Sequence, residues 1–182
     1  MKFAVHTKTT APEGSKATLE ATEKAIGFIP NLFGVLAESP TALDSYVHIN
    51  NALTKSGLNK IEQQVVAITV STENNCPYCE AAHSALAHMI KMPDEIIAGL
   101  RDRKSLPDPR LDALRNFILS ILSNRGWVPE NEVEAFLNAG YSPRHVLDVI
   151  TIVALRTLSN YVNHLAEPPL DERFAGQKWS KV

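Results

Sequence analysis

Apolar residues recur at helical spacing along almost the whole chain, and most prolines and glycines fall between the periodic segments. No segment shows the strict apolar and polar alternation that is typical of a strand. The pattern predicts an all-α protein. In chain order, the helices are expected over residues 15–26, 31–36, 41–55, 60–74, 77–90, 94–103, 110–124 and 130–139, with a long one from 143.

The fourth and fifth predicted helices carry clear start signals. Asn59 is suited to cap the fourth helix, whose apolar run over 65–70 suggests burial on most sides. Pro77 fits the first position of the fifth helix, where its missing N–H does no harm, and Cys76 or Asn75 would then be the N-cap. A short sequence with two cysteines therefore lies at a helix N-terminus.

The predicted breaks separate helices and not domains. We find no convincing internal repeat, low-complexity segment or flexible linker, so residues 1–182 are expected to form a single domain. Only the tail after Pro168 and Pro169 has an irregular pattern.

Composition and charge narrow the class of protein. Forty-five per cent of the 182 residues are hydrophobic, and 18 basic against 20 acidic residues give a formal charge of -2. Because there is no basic run, we expect neither nucleic acid nor a membrane as partner. The N-terminus lacks the apolar core of a signal peptide and no apolar run reaches the ~18 residues needed to span a bilayer, so we expect a cytoplasmic protein.

The two cysteines form a Cys-x-x-Cys pair with a histidine in helical phase. Cys76, Cys79 and His83 lie at i, i+3 and i+7, so all three are expected on one helix face. In a reducing compartment such a pair is more often catalytic or metal-binding than structural. A dithiol beside a base indicates redox chemistry.

Two features of this segment, the helix N-terminus and His83, favour a thiolate, but each favours a different cysteine. The positive end of the helix dipole would make Cys76 the more acidic and exposed thiol. His83, one turn beyond Cys79, would instead activate Cys79 as a general base. The sequence leaves both possibilities open. Once either sulfur is oxidised to a sulfenic acid, the other can condense with it to a disulfide.

Two other roles for the cysteines were weighed. They can fill space in a core as small apolar side chains. They can also ligate zinc, but a tetrahedral site needs four ligands and this segment supplies at most three. Glu73 or His164 would have to be the fourth, and we expect no bound metal.

A longer stretch around the motif resembles a known family. Residues 62–84, EQQVVAITVSTENNCPYCEAAHS, resemble the AhpD-like branch of the carboxymuconolactone decarboxylase superfamily. The similarity continues at 30–33 (PNLF), 39–40 (SP), 160–164 (NYVNH) and 169–171 (PLD), and covers about residues 27–174.

This resemblance implies an all-helical AhpD-like fold, a homo-oligomer (dimer, trimer or hexamer) and reduction of hydroperoxides without a metal or organic cofactor. It also implies that Cys79 is the peroxidatic thiol, Cys76 its disulfide partner and His83 part of a proton relay. The electron donor would be a thioredoxin, a lipoyl protein or a small thiol.

The chain departs from the family pattern at one position of that relay. The family has a glutamate twelve residues before the first cysteine, where this sequence has Gln64. A glutamine amide cannot exchange a proton as a carboxylate does. Glu62 and Glu73 are the candidate substitutes, and we favour Glu73 because it lies one turn before Cys76.

Several other polar residues have ambiguous roles. Asn160, Asn163 and His164 end the long apolar helix, where they can cap its last carbonyl groups or line the active site. Tyr78, between the cysteines, is expected to cover the site and not to react.

The leading hypothesis is a thiol-dependent peroxidase that reduces hydrogen peroxide or organic hydroperoxides through a Cys76/Cys79 disulfide cycle. The alternatives are a carboxymuconolactone-type decarboxylase, a non-catalytic zinc-bound or structural oligomer, and a redox sensor. The Cys-x-x-Cys pair argues against the decarboxylase, because the superfamily members with that activity resemble this chain but lack the pair.

Overall fold

Nine α-helices make up most of the computed structural model, which describes residues 3–180. They are α1 (Glu13–Ile26), α2 (Asn31–Leu36), α3 (Pro40–Ala52), α4 (Lys60–Glu73), α5 (Pro77–Met89), α6 (Asp94–Arg101), α7 (Pro109–Ser123), α8 (Glu130–Asn138) and α9 (Pro143–Ala166). No strand occurs in the described residues, and the all-α prediction is confirmed. Most bounds fall within two residues of prediction. The largest difference is at α3, which ends in a 3₁₀ turn over Leu53–Lys55.

The local start signals act as the sequence predicts. Asn59 Oδ1 accepts a hydrogen bond from the Glu62 N–H at 3.0 Å, and a Glu62 carboxylate oxygen accepts from the Asn59 N–H at 2.8 Å. This capping box satisfies two N–H groups that the first turn of α4 leaves without helical partners. Pro77 is the first residue of α5, with Cys76 as its N-cap.

Helix α4 is the centre of the core. All of its residues from Val65 to Thr72 are buried, and it packs against α5, α6, α7 and α9. Helix α9 packs against α2, α3, α4 and α5. The inner face of α9 therefore meets the start of α5 deep in the protein.

The junction of α4 and α5 fixes the position of the first cysteine. Asn75 adopts a left-handed conformation with φ of 53°, which asparagine tolerates better than most residues. The N–H of Cys76 donates to Ser71 O at 2.9 Å and the N–H of Asn75 donates to Thr72 O at 3.0 Å. This pair of bonds is a Schellman motif, so α4 ends where α5 begins and no flexible loop separates them.

The C-terminal tail is more ordered than its sequence pattern suggests. Glu172–Gln177 forms a 3₁₀ helix that packs against α5, so the expectation of an irregular tail is wrong for this segment. The Tyr78 hydroxyl donates to the Asp171 carboxylate and accepts from the Leu32 N–H at 3.2 Å. Burial of Tyr78 with both hydrogen bonds satisfied ties α5 to α2 and to the tail.

Within the described part of the chain, none of the helices combines the length and the apolar character required to cross a bilayer.

Candidate active site

Cys76 and Cys79 form an adjacent pair of free thiols at the start of α5. Cys76 has no solvent exposure and Cys79 is 3% exposed. The two thiols lie close enough to shift each other's pKa, and Cys76 acts as the hydrogen-bonding partner that lowers the pKa of Cys79. The two sulfurs are thus held together in the reduced state, which suits reversible disulfide formation.

Helix α9 supplies polar groups against these sulfurs. Asn163 Nδ2 donates to Cys79 Sγ at 3.0 Å and lies 3.9 Å from Cys76 Sγ. Ser159 Oγ lies 3.7 Å from Cys79 Sγ. These contacts concentrate hydrogen-bonding groups on the second cysteine of the pair.

The environment makes Cys79 the more acidic thiol. The hydrogen bond from Cys76 lowers the pKa of Cys79 against the effect of burial, and Ser159, Asn160 and the positive charge of Arg156 lower it further. The same bond to Cys79, together with burial, raises the pKa of Cys76 far above its ordinary value. The helix-dipole argument that Cys76 is the more exposed and acidic thiol is therefore wrong. The interaction with Cys79 and burial raise the pKa of Cys76 by more than the helix dipole lowers it.

His83 is held between a glutamine and an arginine. Its Nδ1 is 2.9 Å from Gln64 Oε1, and its Nε2 is 2.9 Å from Arg156 Nη1. Because a guanidinium can only donate, Nε2 must accept, and the ring proton must lie on Nδ1 and point to Gln64. Among the described residues, no hydrogen bond joins His83 to a cysteine sulfur.

Arg156 is a buried cation with several partners. One of its terminal nitrogens also donates to Tyr46 Oη at 2.9 Å, and the other donates to Asn50 Oδ1 at 3.0 Å. Burial and, secondly, the charge of Arg156 lower the pKa of His83 well below its ordinary value. The imidazole is therefore neutral at pH 7, and the positive charge of this site resides on the arginine.

The two glutamates considered as substitutes for a relay carboxylate lie elsewhere. Glu73 Oε1 faces Arg103 Nε at 3.5 Å. Glu62 is occupied by the capping box of α4 and by an ion pair with Arg110 at 2.9 Å. Neither makes a described hydrogen bond to His83 or to the cysteines. Gln64 itself occupies the position beside the imidazole.

A cavity of about 370 Å³ opens beside the first cysteine. Its walls come from the start of α5 and the end of α9, and are formed by Asn75, Cys76, Pro77, Tyr78, Asn163, His164, Glu167 and Pro168. Asn163 thus belongs both to the cavity wall and to the contacts of Cys79. His164, one of the two residues considered as a fourth zinc ligand, lines this opening.

No group of three or more His, Cys, Asp or Glu side chains suited to a metal ion occurs within residues 3–180.

The sequence analysis missed Arg156 and Ser159 as members of this site. Arg156 interrupts the apolar run of α9. Together with Asn160 and Asn163 it occupies positions i, i+4 and i+7, which lie on one face of the helix. Such a polar stripe within an apolar helix is a usable signal, because a buried arginine needs partners on the facing helices. That one of these partners is His83 becomes visible only when α9 is packed on α5.

Comparisons with known proteins agree with the architecture. The family model described as "Carboxymuconolactone decarboxylase family" matches residues 40–117. Among curated protein sequences none matches the chain significantly.

Solved structures match over nearly the whole length. A peroxidase-related protein from Ralstonia eutropha JMP134, described as an alkylhydroperoxidase AhpD core, is 25% identical with a TM-score of 0.82, covering 95% of this chain and 93% of its own. A peroxidase-related protein from Silicibacter sp. TM1040 is 22% identical with a TM-score of 0.79, covering 91% and 89%.

A third solved structure has the same fold and is named as a debrominase. The debrominase Bmp8, solved as its C82A variant with 2,3,4-tribromopyrrole, is 13% identical with a TM-score of 0.80, covering 97% of this chain and 95% of its own. The fold alone therefore does not determine the reaction. The family match over residues 40–117, the shared architecture and the Cys-x-x-Cys site support the place of this chain in the AhpD-like branch of the carboxymuconolactone decarboxylase superfamily.

Proposed function

We propose that this protein is a thiol-dependent peroxidase in which Cys79 attacks a hydroperoxide and Cys76 closes the disulfide. The observation that carries the proposal is the arrangement of the two sulfurs. The interaction with Cys76 lowers the pKa of Cys79, and Asn163 Nδ2 donates a hydrogen bond to its sulfur at 3.0 Å, which favours the charged form.

The chemistry follows from this asymmetry. The Cys79 thiolate attacks the terminal oxygen of ROOH, the O–O bond breaks, and the sulfur becomes a sulfenic acid while RO⁻ takes a proton from solvent to leave as ROH. Cys76 then attacks the oxidised sulfur, and its thiol proton leaves with the hydroxyl group as water. Its raised pKa keeps Cys76 protonated and hydrogen-bonded to Cys79 until that moment. Two equivalents of an external thiol reopen the disulfide.

Arg156 has the role of a positioning residue in this proposal. It contacts His83, and its charge favours the Cys79 thiolate. A fixed positive charge in a poorly solvated site acts more strongly than the same charge in water. The cation supplies electrostatic support at a site where Gln64 cannot supply a proton relay.

The test is a single turnover of the reduced protein with sub-stoichiometric tert-butyl hydroperoxide, followed by thiol counting and mass spectrometry. The wild type is expected to form the Cys76–Cys79 disulfide faster than a free thiol reacts. Cys79→Ser should consume no peroxide. With excess peroxide and no reductant, Cys76→Ser should stop after one equivalent, with a dimedone adduct on Cys79. Full multiple turnover in both variants, measured with excess peroxide and a reducing thiol, would overturn the proposal.

A further inference from the structure

Two buried amide groups beside Cys79 have hydrogen-bonding atoms without partners among residues 3–180. Asn160 has no solvent exposure, and its Oδ1 accepts from Asn74 Nδ2 at 2.9 Å while its own Nδ2 makes no hydrogen bond to any described residue. Asn163 is 5% exposed, and its Nδ2 donates to Cys79 while its Oδ1 has no partner in the described part of the chain. A buried polar atom without a partner is destabilising and rare in folded proteins, so two of them at one site require an explanation.

The two amides lie on the same face of α9 and close to the same sulfur. Asn160 and Asn163 are three residues apart, so their side chains are neighbours on the helix surface. Asn163 contacts Cys79 Sγ directly, and Asn160 lies close enough to lower the pKa of Cys79 without a geometric hydrogen bond to its sulfur. A free donor and a free acceptor therefore flank the nucleophilic sulfur.

We propose that Asn160 Nδ2 and Asn163 Oδ1 form the binding site for the two oxygens of a small organic hydroperoxide, an inference that rests on the proposed function. A hydroperoxide group carries one O–H donor and two acceptor oxygens, which complements one free acceptor and one free donor. Asn163 Oδ1 accepts the O–H of the terminal oxygen and places that oxygen against Cys79. Asn160 Nδ2 donates to the oxygen that carries the organic group.

This arrangement stabilises the charge that develops during the reaction. As the Cys79 sulfur bonds to the terminal oxygen and the O–O bond breaks, negative charge moves to the oxygen of the leaving alkoxide. An N–H donor fixed at that oxygen acts as an oxyanion hole does. Asn160 is held for this task because its Oδ1 is already bonded to Asn74.

The organic group has a place to lie. Asn163 lines the cavity of about 370 Å³ together with Tyr78 and His164, and this volume suits a small organic substituent. Hydrogen peroxide has no such substituent and would leave the cavity to water. The site is therefore expected to favour a small organic hydroperoxide over hydrogen peroxide.

The test separates thiolate formation from peroxide binding. For the wild type, Asn160→Ala and Asn163→Ala, the reaction rate of Cys79 is measured with iodoacetamide, which has no O–O bond, and with tert-butyl hydroperoxide. Asn51→Ala, which removes an exposed amide on α3, is the matched control.

Asn160→Ala is expected to slow the hydroperoxide reaction about 10- to 100-fold beyond any change with iodoacetamide. His164→Trp, which narrows the cavity, should slow tert-butyl hydroperoxide more than hydrogen peroxide. Equal losses with both reagents would show that the asparagines act only on the thiolate, and unchanged rates with both would show that they act on neither step. Either result would overturn the inference while the proposed function stands. A wild type that reacts with no hydroperoxide faster than a free thiol would overturn both.

Discussion

Arg156 Nη1 lies 2.9 Å from His83 Nε2, so a buried guanidinium holds the imidazole of α5 in its neutral form. The resemblance to the family assigns His83 to a proton relay, and that role stays a prediction. In this structure both ring nitrogens already have partners, Gln64 and Arg156. His83 can take up a proton at Nε2 only if Arg156 moves away.

Replacement of Arg156 tests its effect on the thiol. Arg156→Met should raise the pKa of Cys79 and slow its alkylation at pH 7 several-fold, because a nearby positive charge is lost. It should also lower the free energy of unfolding by about 1–3 kcal/mol, since Tyr46 and Asn50 lose a hydrogen-bond partner. The measurements are iodoacetamide kinetics and urea unfolding. Arg144→Met, on the exposed start of α9, is the control, and unchanged thiol reactivity in a folded Arg156 variant would contradict the prediction.

Restoring the family's carboxylate at residue 64 should change the protonation of His83. In Gln64→Glu, a negative charge beside Nδ1 favours the imidazolium, so the pKa of His83 should rise from its lowered value. NMR titration of the ring measures this directly. Gln64→Met, which removes the acceptor without adding charge, should leave the pKa low. An equally low pKa in the glutamate variant would contradict this prediction and mean that burial and Arg156 dominate.

The hydrogen bond between the thiols is tested by two variants that leave Cys79 as the only cysteine. Cys76→Ser keeps an O–H donor, whereas Cys76→Ala removes it. Because this bond lowers the pKa of Cys79, the pH at which alkylation reaches half its maximal rate should be higher in the alanine variant. The rate rises with pH in both, since only the thiolate reacts. Superimposable pH profiles would show that the bond does not set the acidity of Cys79.

Replacement of Glu73 should have only a small effect on stability and turnover. Its carboxylate is one-third exposed and faces Arg103, so Glu73→Gln should change stability by less than about 1 kcal/mol and leave peroxide consumption unchanged. Steady-state turnover with an excess of reducing thiol measures the second quantity. A loss of about tenfold in turnover would contradict this prediction and indicate that Glu73 takes part in the proton relay.

Self-association remains a prediction, and the outward face of α9 is the place to test it. Leu147 and Leu165 on this helix are 66% and 73% exposed, so two large apolar side chains face outward from it. If this face binds a second copy of the chain, changing both residues to lysine should reduce the mass measured by light scattering. Trp127→Ser, at an exposed residue outside α9, is the control. An unchanged oligomer in the double variant would place the contact elsewhere.

Local signals in the sequence determined the helices and the position of the dithiol. The Asn59 capping box, the proline at the start of α5 and the helical spacing of apolar residues act over a few residues, so they can be read without the fold. The i, i+3 and i+7 spacing of Cys76, Cys79 and His83 at the start of α5 is a local signal of the same kind.

Only the tertiary structure decided which thiol is acidic and what surrounds it. The helix dipole pointed to Cys76, but the interaction between the two thiols and the contacts of Cys79 with α9 outweigh it. Arg156 and Asn163 lie more than seventy residues from the cysteines in sequence, and they reach them because α9 packs on α4 and α5. The sequence by itself determined the reactive groups. Long-range packing determined their charge and their partners, because pKa values depend on burial and on neighbours that no local pattern specifies.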